Sequence, residues 1–281
     1  GASGAALGGT LTRAAVAGMA PFADLTVDRA GTGYALSATA ASLTSGSRLA
    51  ATAGLPVKTV AVLMGRPDYF LTVKREIKSV KDLKGKRIAI GSFGAAADLA
   101  LRVVAKQDGL DPDHDLIRLQ MGGGAARYAA LLGGIVDATI LTLPYNLQAE
   151  KAGYKDLLWF GERLEFPLSG LAVRDETIQK NPKQVLGVVR AVFRAMAFAS
   201  ANREETTQML VNWLRVDQEV AARSYDLGKR SWSEGGVVSD SAVKFLVDQS
   251  MSELKIKDPV PLDKVRNWTF AEQARPQLGS A

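Results

Sequence analysis

Between Lys86 and about Trp159 the chain alternates three times between a short apolar run and a longer segment with apolar residues at helical spacing. Short strands separated by helices call for a parallel sheet with helices on its faces. In open sheets of this kind ligands bind beyond the carboxyl ends of the strands. Three loops fall there: Gly91 to Ala95, Met121 to Ala125, and Leu141 to Tyr145. The first repeat is the fullest. Residues 79–106, SVKDLKGKRIAIGSFGAAADLALRVVAK, read as a charged turn, a strand over Arg87 to Gly91, a small-residue loop over Ser92 to Ala97, and an amphipathic helix. A strand feeding a helix in this way points free backbone N–H groups and the positive end of the helix dipole at one spot, which suits an anion. Glycine and serine that simply let the chain reverse would give the same letters.

The second loop is Gly122-Gly123-Gly124, which repeats the strand-to-helix arrangement after LIRLQM and before ARYAALLGG. The third, Thr142-Leu143-Pro144-Tyr145, follows DATIL and reads equally as a helix start with proline in its first turn. Upstream, Lys58 to Met64 and Tyr69 to Lys74 are clear strands joined by Gly65-Arg66-Pro67-Asp68. A guanidinium at Arg66 suits bidentate pairing with a carboxylate or sulfonate. The alternative is a surface arginine paired with Asp68.

The string SVKDLKGKRIAIGSFG resembles the signature that opens the second lobe of periplasmic substrate-binding proteins of ABC importers, of the nitrate, sulfonate and taurine type. The resemblance continues through Gly109, Leu110 and Pro112, through Gly122 to Ala126, through GGIVDATI (Gly133 to Ile140) and through LPYNLQAEKAGYKDLL (Leu143 to Leu158). It covers about residues 54 to 200. It implies an α/β fold of the two-lobed type II kind, with open, mostly parallel sheets flanked by helices. Residues 1–74 and 168–281 would form lobe I, and 75–167 lobe II, with crossover strands at Tyr69 to Lys74 and Leu168 to Arg174. GMAPFADLTV (Gly18 to Val27) resembles the end of the first lobe's opening unit, whose first strand is absent or cut short. The interval TSGSRLAATAG (Thr44 to Gly54) is too short for the turn, strand and helix that relatives place there, so the first lobe is expected to be shortened. A helix is expected over Thr10 to Gly18 and a short strand within Asp24 to Arg29.

The function implied is that of an extracytoplasmic receptor, periplasmic or lipid-anchored. It would bind a small anionic or polar organic solute between the lobes and deliver it to the membrane permease of an ABC importer by hinge closure. The expected ligand-binding set is Ser92, Phe93, Gly94, Ala95, Gly122, Gly123, Gly124, Thr142, Tyr145 and Arg66. Ser92 and the loop N–H groups would face a polar head group, and Phe93 and Tyr145 an apolar remainder. No cofactor and no metal are expected, and the molecule is expected to be a monomer. The same fold carries pyrimidine-precursor synthases, deaminases and sensory domains, so an enzyme and a detached sensor stay open as alternatives.

The remaining residues narrow these choices. The chain of 281 residues is long enough for two lobes, and 47% hydrophobic with 23% charged content is that of a globular protein. It has no cysteine and a single histidine, His114, in the polar turn DPDHDL. Triads of the Ser-His-Asp or Cys-His kind need a base within reach of the nucleophile; the only histidine lies in a hydrophilic turn and no cysteine exists, so the catalytic inventory is poor. Paired acids such as Asp111 and Asp113, or Glu204 and Glu205, read as solvated turns and a helix's acidic first turn. A net charge of +6 and a pI near 9.5 favour anionic partners. The basic residues are scattered among acids, without a nucleic-acid motif, so no nucleic acid is expected. No uninterrupted apolar run reaches the roughly 18 residues of a membrane span. The start GASGAALGG lacks the basic n-region of an intact signal peptide. From Asn181 onward Asn181-Pro182 starts a helix, and further helices are expected at Glu204 to Leu214, Gln218 to Leu227 and Asp240 to Leu254.

Overall fold

The computed structural model describes residues 7–8, 26–27 and 50–278. Two short strands, β1 (Leu7–Gly8) and β2 (Thr26–Val27), pair antiparallel. The chain continues through β3 (Val57–Met64), β4 (Phe70–Val73), β5 (Arg87–Ile90), α1 (Ala96–Gln107), β6 (Ile117–Gln120), α2 (Gly124–Leu132), β7 (Ala138–Leu141), α3 (Tyr145–Lys151) and β8 (Lys155–Trp159). It then returns through β9 (Ser169–Arg174) and ends in the helices α4 (Asp175–Lys180), α5 (Pro182–Ala201), α6 (Arg203–Leu214), α7 (Gln218–Lys229), α8 (Asp240–Leu254), α9 (Leu262–Val265) and α10 (Thr269–Ala274).

The repeats at 86–159 build a five-stranded sheet in the order β6-β5-β7-β4-β8. β5 runs parallel to β6 and β7, and β4 is antiparallel to both β7 and β8. Four strands therefore share one direction and only β4 opposes them. The period of two along each strand separates two cores. Ile88, Ile90, Leu71, Val73 and Ile140 face one side, where Leu101, Val104, Phe160 and Phe166 close over them. Ala89 and Leu141 face the other, against Ala130, Leu131 and Ala149 of α2 and α3. The polar members of β4 and β7 are held internally: Thr72 Oγ1 donates to Asp156 at 2.7 Å, and Thr139 Oγ1 to the Ala89 carbonyl at 3.1 Å.

β3 and β9 form a separate antiparallel pair. Val185, Val189 and Phe193, each four residues from the next on α5, bury one helical stripe against Val60 and Ala61, together with Phe270 and Ala274 of α10. Length and composition alone would let α5 cross a membrane, with a mean hydropathy of 1.3. Arg190 and Arg194 interrupt its apolar residues, so α5 is no uninterrupted apolar run although its average hydropathy is high. Gly170 of β9 lies so close to β3 that a Cβ there would sit 2.4 Å from the Ala61 carbonyl oxygen. The ladder is irregular on both sides of that contact.

Phe70–Val73 differs from expectation. It is an inner strand of the five-stranded sheet, not a crossover strand of the first lobe, because all four of its residues are buried between β7 and β8. Leu168 to Arg174, likewise expected to cross over, includes β9, which belongs wholly to the β3 pair. The chain passes between the sheets at Gly65–Tyr69 and again between Phe160 and Leu168. α8 spans both halves: Ala242, Val243 and Val247 pack with Val62, while Leu246 and Phe245 join the core of the five-stranded sheet. The Phe245 ring lies 6.3 Å from that of Phe166. The helix expected at Thr10 to Gly18, and residues 44–49 of the shortened interval, lie outside the described residues.

Candidate functional site

The carboxyl ends of β5, β6 and β7 meet at one edge, and hydrogen bonds tie their loops together. Gly122 N–H donates to the Gly91 carbonyl at 3.1 Å, continuing the β5-β6 ladder into the loops. Gly122 turns the chain with φ +72°, a conformation that glycine adopts without a Cβ penalty. Gly123 then caps α2, accepting the N–H of Arg127 at 3.1 Å. Gly124, the first residue of α2, lies under an aromatic ring: a Cβ there would meet Tyr145 at 3.0 and 3.2 Å. Tyr145 opens α3, and its ring is 5.9 Å from that of Tyr128. Thr142 precedes it and accepts the Tyr145 N–H on its carbonyl at 2.9 Å.

Arg127, which the sequence reading did not single out, fastens this edge. Its Nε donates to the Ile140 carbonyl at 2.9 Å, and its Nη1 donates to the Gly122 carbonyl. One guanidinium thus joins the end of β7 to the loop after β6. A Cβ on Gly91 would lie 3.1 Å from the same Nη1, so glycine at 91 makes the room. Among the described residues the hydrogen bonds of Arg127 go to carbonyls and not to a carboxylate, and burial pulls its guanidinium below the ordinary arginine range. Tyr69, from the crossing at Gly65–Tyr69, lies close enough to interact electrostatically with both Arg127 and Asp68. Burial, then the Asp68 charge, raises the Tyr69 hydroxyl, which keeps it a neutral donor. Burial also pushes the Asp68 carboxyl up to about 6, against a single opposing hydrogen bond from its own backbone. Neither Arg127 nor Asp68 carries a local sequence signal, since both depend on carbonyls and burial supplied from distant residues.

The loop after β5 is arranged differently from expectation. The N–H groups of Phe93, Gly94 and Ala95 are all engaged locally, with Gln120 Oε1 at 3.4 Å, Asp98 Oδ2 at 3.0 Å and the Ser92 carbonyl at 3.3 Å. Asp98, fully buried in the first turn of α1, supplies the acceptor and places a carboxylate where a bound anion was expected. Arg118 neutralises it at 2.8 and 3.0 Å, and reaches Asp113 at 2.6 Å. Phe93 is exposed, with the Arg118 guanidinium 5.4 Å from its ring centre. Phe93 and Gly94 line a cavity of about 290 Å³ with Asp98, Arg118, Gln249 and Ser252. Ser92 is exposed.

Arg66 stands apart from both loops. It is exposed and not paired with Asp68: its Nη1 donates to the Gly161 carbonyl at 2.9 Å, bridging the two crossings. It lines a cavity of about 460 Å³ with Glu165, Arg230, Ser233 and Glu234, a group that includes none of the loop residues. His114 is an exposed turn residue paired with Asp111 at 2.7 Å. Among the described residues no group of three or more His, Asp or Glu side chains is placed to hold a metal ion.

Comparison with known proteins places this geometry. Residues 30–206 match the model of the NMT1/THI5-like family. The chain is 27% identical over 163 residues to a binding protein of Brucella abortus, covering 56% of this chain and 50% of that one. It is 28% identical over 172 residues to the riboflavin-binding protein RibY of Chloroflexus aurantiacus, covering 59% of this chain and 48% of that one. The chain spans about half the length of the curated relatives it matches. Among solved structures, the periplasmic aliphatic sulphonate binding protein SsuA of Escherichia coli superposes with a TM-score of 0.67 at 21% identity, over 80% of this chain and 78% of that one. A mutant of DszB, a desulfurization enzyme, in complex with biphenyl-2-sulfinic acid has a TM-score of 0.55 at 16% identity, over 79% of this chain and 80% of that one. The fold is that of periplasmic binding proteins, and it also carries enzymes.

Proposed function

The chain belongs to the NMT1/THI5-like family, and from that premise we propose that it is a solute receptor rather than an enzyme. It binds a small anionic or polar organic molecule at the carboxyl edge of β5, β6 and β7, in the cleft facing the β3-β9 half. The observation that carries this reading is Arg127: a half-buried guanidinium whose hydrogen bonds, among the described residues, go to two carbonyls and not to a carboxylate, beside the glycines that open α2. A cation withdrawn from water in this way favours an anionic partner. Gly122 to Gly124 let a ligand approach the backbone, and Tyr145 covers an apolar remainder. Thr142 and the neutral hydroxyl of Tyr69 complete the polar contacts. Ser92 and Phe93 belong at the rim, because the loop they start is already neutralised by Asp98 and Arg118. Arg66 serves the hinge.

The relatives named as binding proteins support a receptor, SsuA supports a periplasmic setting, and the ligand-binding component of an ABC-type import system of Staphylococcus aureus, a further structural neighbour, supports a membrane permease that receives the solute. The lobes meet at Gly65–Tyr69 and between Phe160 and Leu168, and they close by rotating about these two passages. Calorimetry against aliphatic sulfonates, carboxylates, nitrate, pyrimidines and riboflavin tests the reading. An acidic member should bind, and Arg127→Gln should weaken it at least tenfold while its melting temperature stays within a few degrees of the parent's. Binding confined to cationic amines would overturn the anion site.

A further inference from the structure

Two kinds of contact join the helical tail to the five-stranded sheet, and they lie on different elements. At α8 the contact is apolar: Leu246 belongs to the same buried cluster as Phe160 and Phe166, and the Phe245 ring stacks 6.3 Å from Phe166. At α7 it is ionic. Arg223 Nη2 meets Glu150 Oε2 of α3 at 2.7 Å. Lys151 Nζ, the next residue of α3, meets Asp217 at 3.0 Å and Glu219 at 3.5 Å at the start of α7. Just past the end of α7, Arg230 meets Glu162 at 2.9 Å and lies 4.1 Å over the ring of Trp159. A Cβ built at Gly228 would lie 3.5 Å from Leu143 Cδ1, and no residue of α7 belongs to either apolar cluster of the sheet among the described residues. α7 is instead anchored to the other half: the Tyr225 hydroxyl donates to the Ala199 carbonyl of α5 at 2.8 Å.

We infer that the ion pairs between α3 and α7 form a salt-labile latch, which holds the two halves together at the C-terminal end of α3, the helix whose first residue Tyr145 stands beside the site, while the apolar contact of α8 acts as the pivot. The inference rests on the hinge reading given above. An apolar contact keeps its strength in salt, whereas exposed ion pairs are screened. The latch therefore weakens when the pivot does not. Each such pair contributes little alone. Lost together, they shift the ratio of open to closed molecules by roughly tenfold.

The pairing makes a charge-swap test direct. Glu150→Arg sets two cations against each other across α3 and α7, and Glu150→Arg with Arg223→Glu restores an attraction of opposite sense. Small-angle scattering of the full chain without solute should give a larger radius of gyration for Glu150→Arg than for the parent at low salt. The double variant should return to the parental value. The parent should expand on going to about 0.5 M salt, where the Debye length falls below 5 Å. Lys151→Gln, which leaves the Asp217 cap of α7 in place, reads the second pair independently and should also expand. Parental scattering from both single variants, or failure of the swap to restore the radius at an unchanged melting temperature, would overturn the latch. Because no solute is present, neither result bears on whether the protein is a receptor.

Discussion

A single methyl group at position 124 reports on how closely the first turn of α2 is packed. Gly124→Ala would place a Cβ 3.0 Å from the Tyr145 ring, so the ring must tilt away from the α2 backbone. Gly123, one residue earlier, has φ −64° and no atom within 4 Å of a built Cβ. Gly123→Ala is the matched control, and its melting curve should stay close to the parent's. Gly124→Ala should cost about 1–3 kcal/mol, the usual range for overpacking, and equal melting temperatures for the two variants would show that Tyr145 does not press on the helix start. The glycine run and the aromatic could be read from the sequence as a loop and a helix start. What joins them could not. Arg127 looks like any basic residue in the first turn of a helix until the Ile140 and Gly122 carbonyls are brought to it. Asp68 looks like the partner of Arg66 until the fold sends that guanidinium to Gly161.

At the scale of elements, the strands and helices of 86–159 fall where alternating apolar runs put them, because each strand's buried face is written in its own residues. Partner and direction are not. FLTV is fully buried on β4 because β7 and β8 flank it, and nothing in those four letters says that the neighbours come from residues 138–141 and 155–159 or that they run opposite. The loop after β5 engages its own N–H groups for a related reason. A small-residue turn before a helix does leave N–H groups free in principle, but Asp98 in the first turn of the helix takes the Gly94 N–H itself. The β3-β9 pair offers a prediction at this scale. The 2.4 Å separation between a built Cβ at 170 and the Ala61 carbonyl oxygen can be relieved only by moving backbone. Gly170→Ala should therefore cost about 1–3 kcal/mol in a urea titration, and it should loosen α5, which rests on that pair, before the five-stranded sheet. Uniform loss of amide protection over both sheets would contradict that order.

For the whole molecule, half-buried carboxyls set opposing limits on stability as pH changes. Asp137 accepts from Lys74 Nζ at 2.6 Å and from the Arg87 N–H at 3.0 Å, pinning β4, β5 and β7 at their shared edge. Burial alone would raise its carboxyl, but these bonds and charges win and lower it to about 2. A carboxyl lowered on folding adds stability that is fully present above its unfolded value near 3.8 and is lost as pH falls through about 2, worth about 2 kcal/mol here. Asp68 acts in the opposite sense. Its carboxyl, raised by burial to about 6, favours the folded state while protonated and disfavours it once ionised. Its contribution is therefore unfavourable above pH 6, by about 3 kcal/mol, and is relieved as pH falls toward 4. Asp156, raised by burial beyond what Asn146 and Thr72 offset, adds to the same upper limb. Stability governed by these groups should peak near about pH 4 and decline on both sides. Urea titrations at pH 2.5, 4.5 and 7 should show Asp68→Asn gaining most at pH 7, where the parent holds a partly desolvated charge. Asp137→Asn should lose most at pH 4.5 and 7, and approach the parent at pH 2.5. A parent that is most stable at pH 7, with Asp68→Asn no more stable there, would mean that the carboxyl at the crossing is solvated and that the passage between the sheets is open to water.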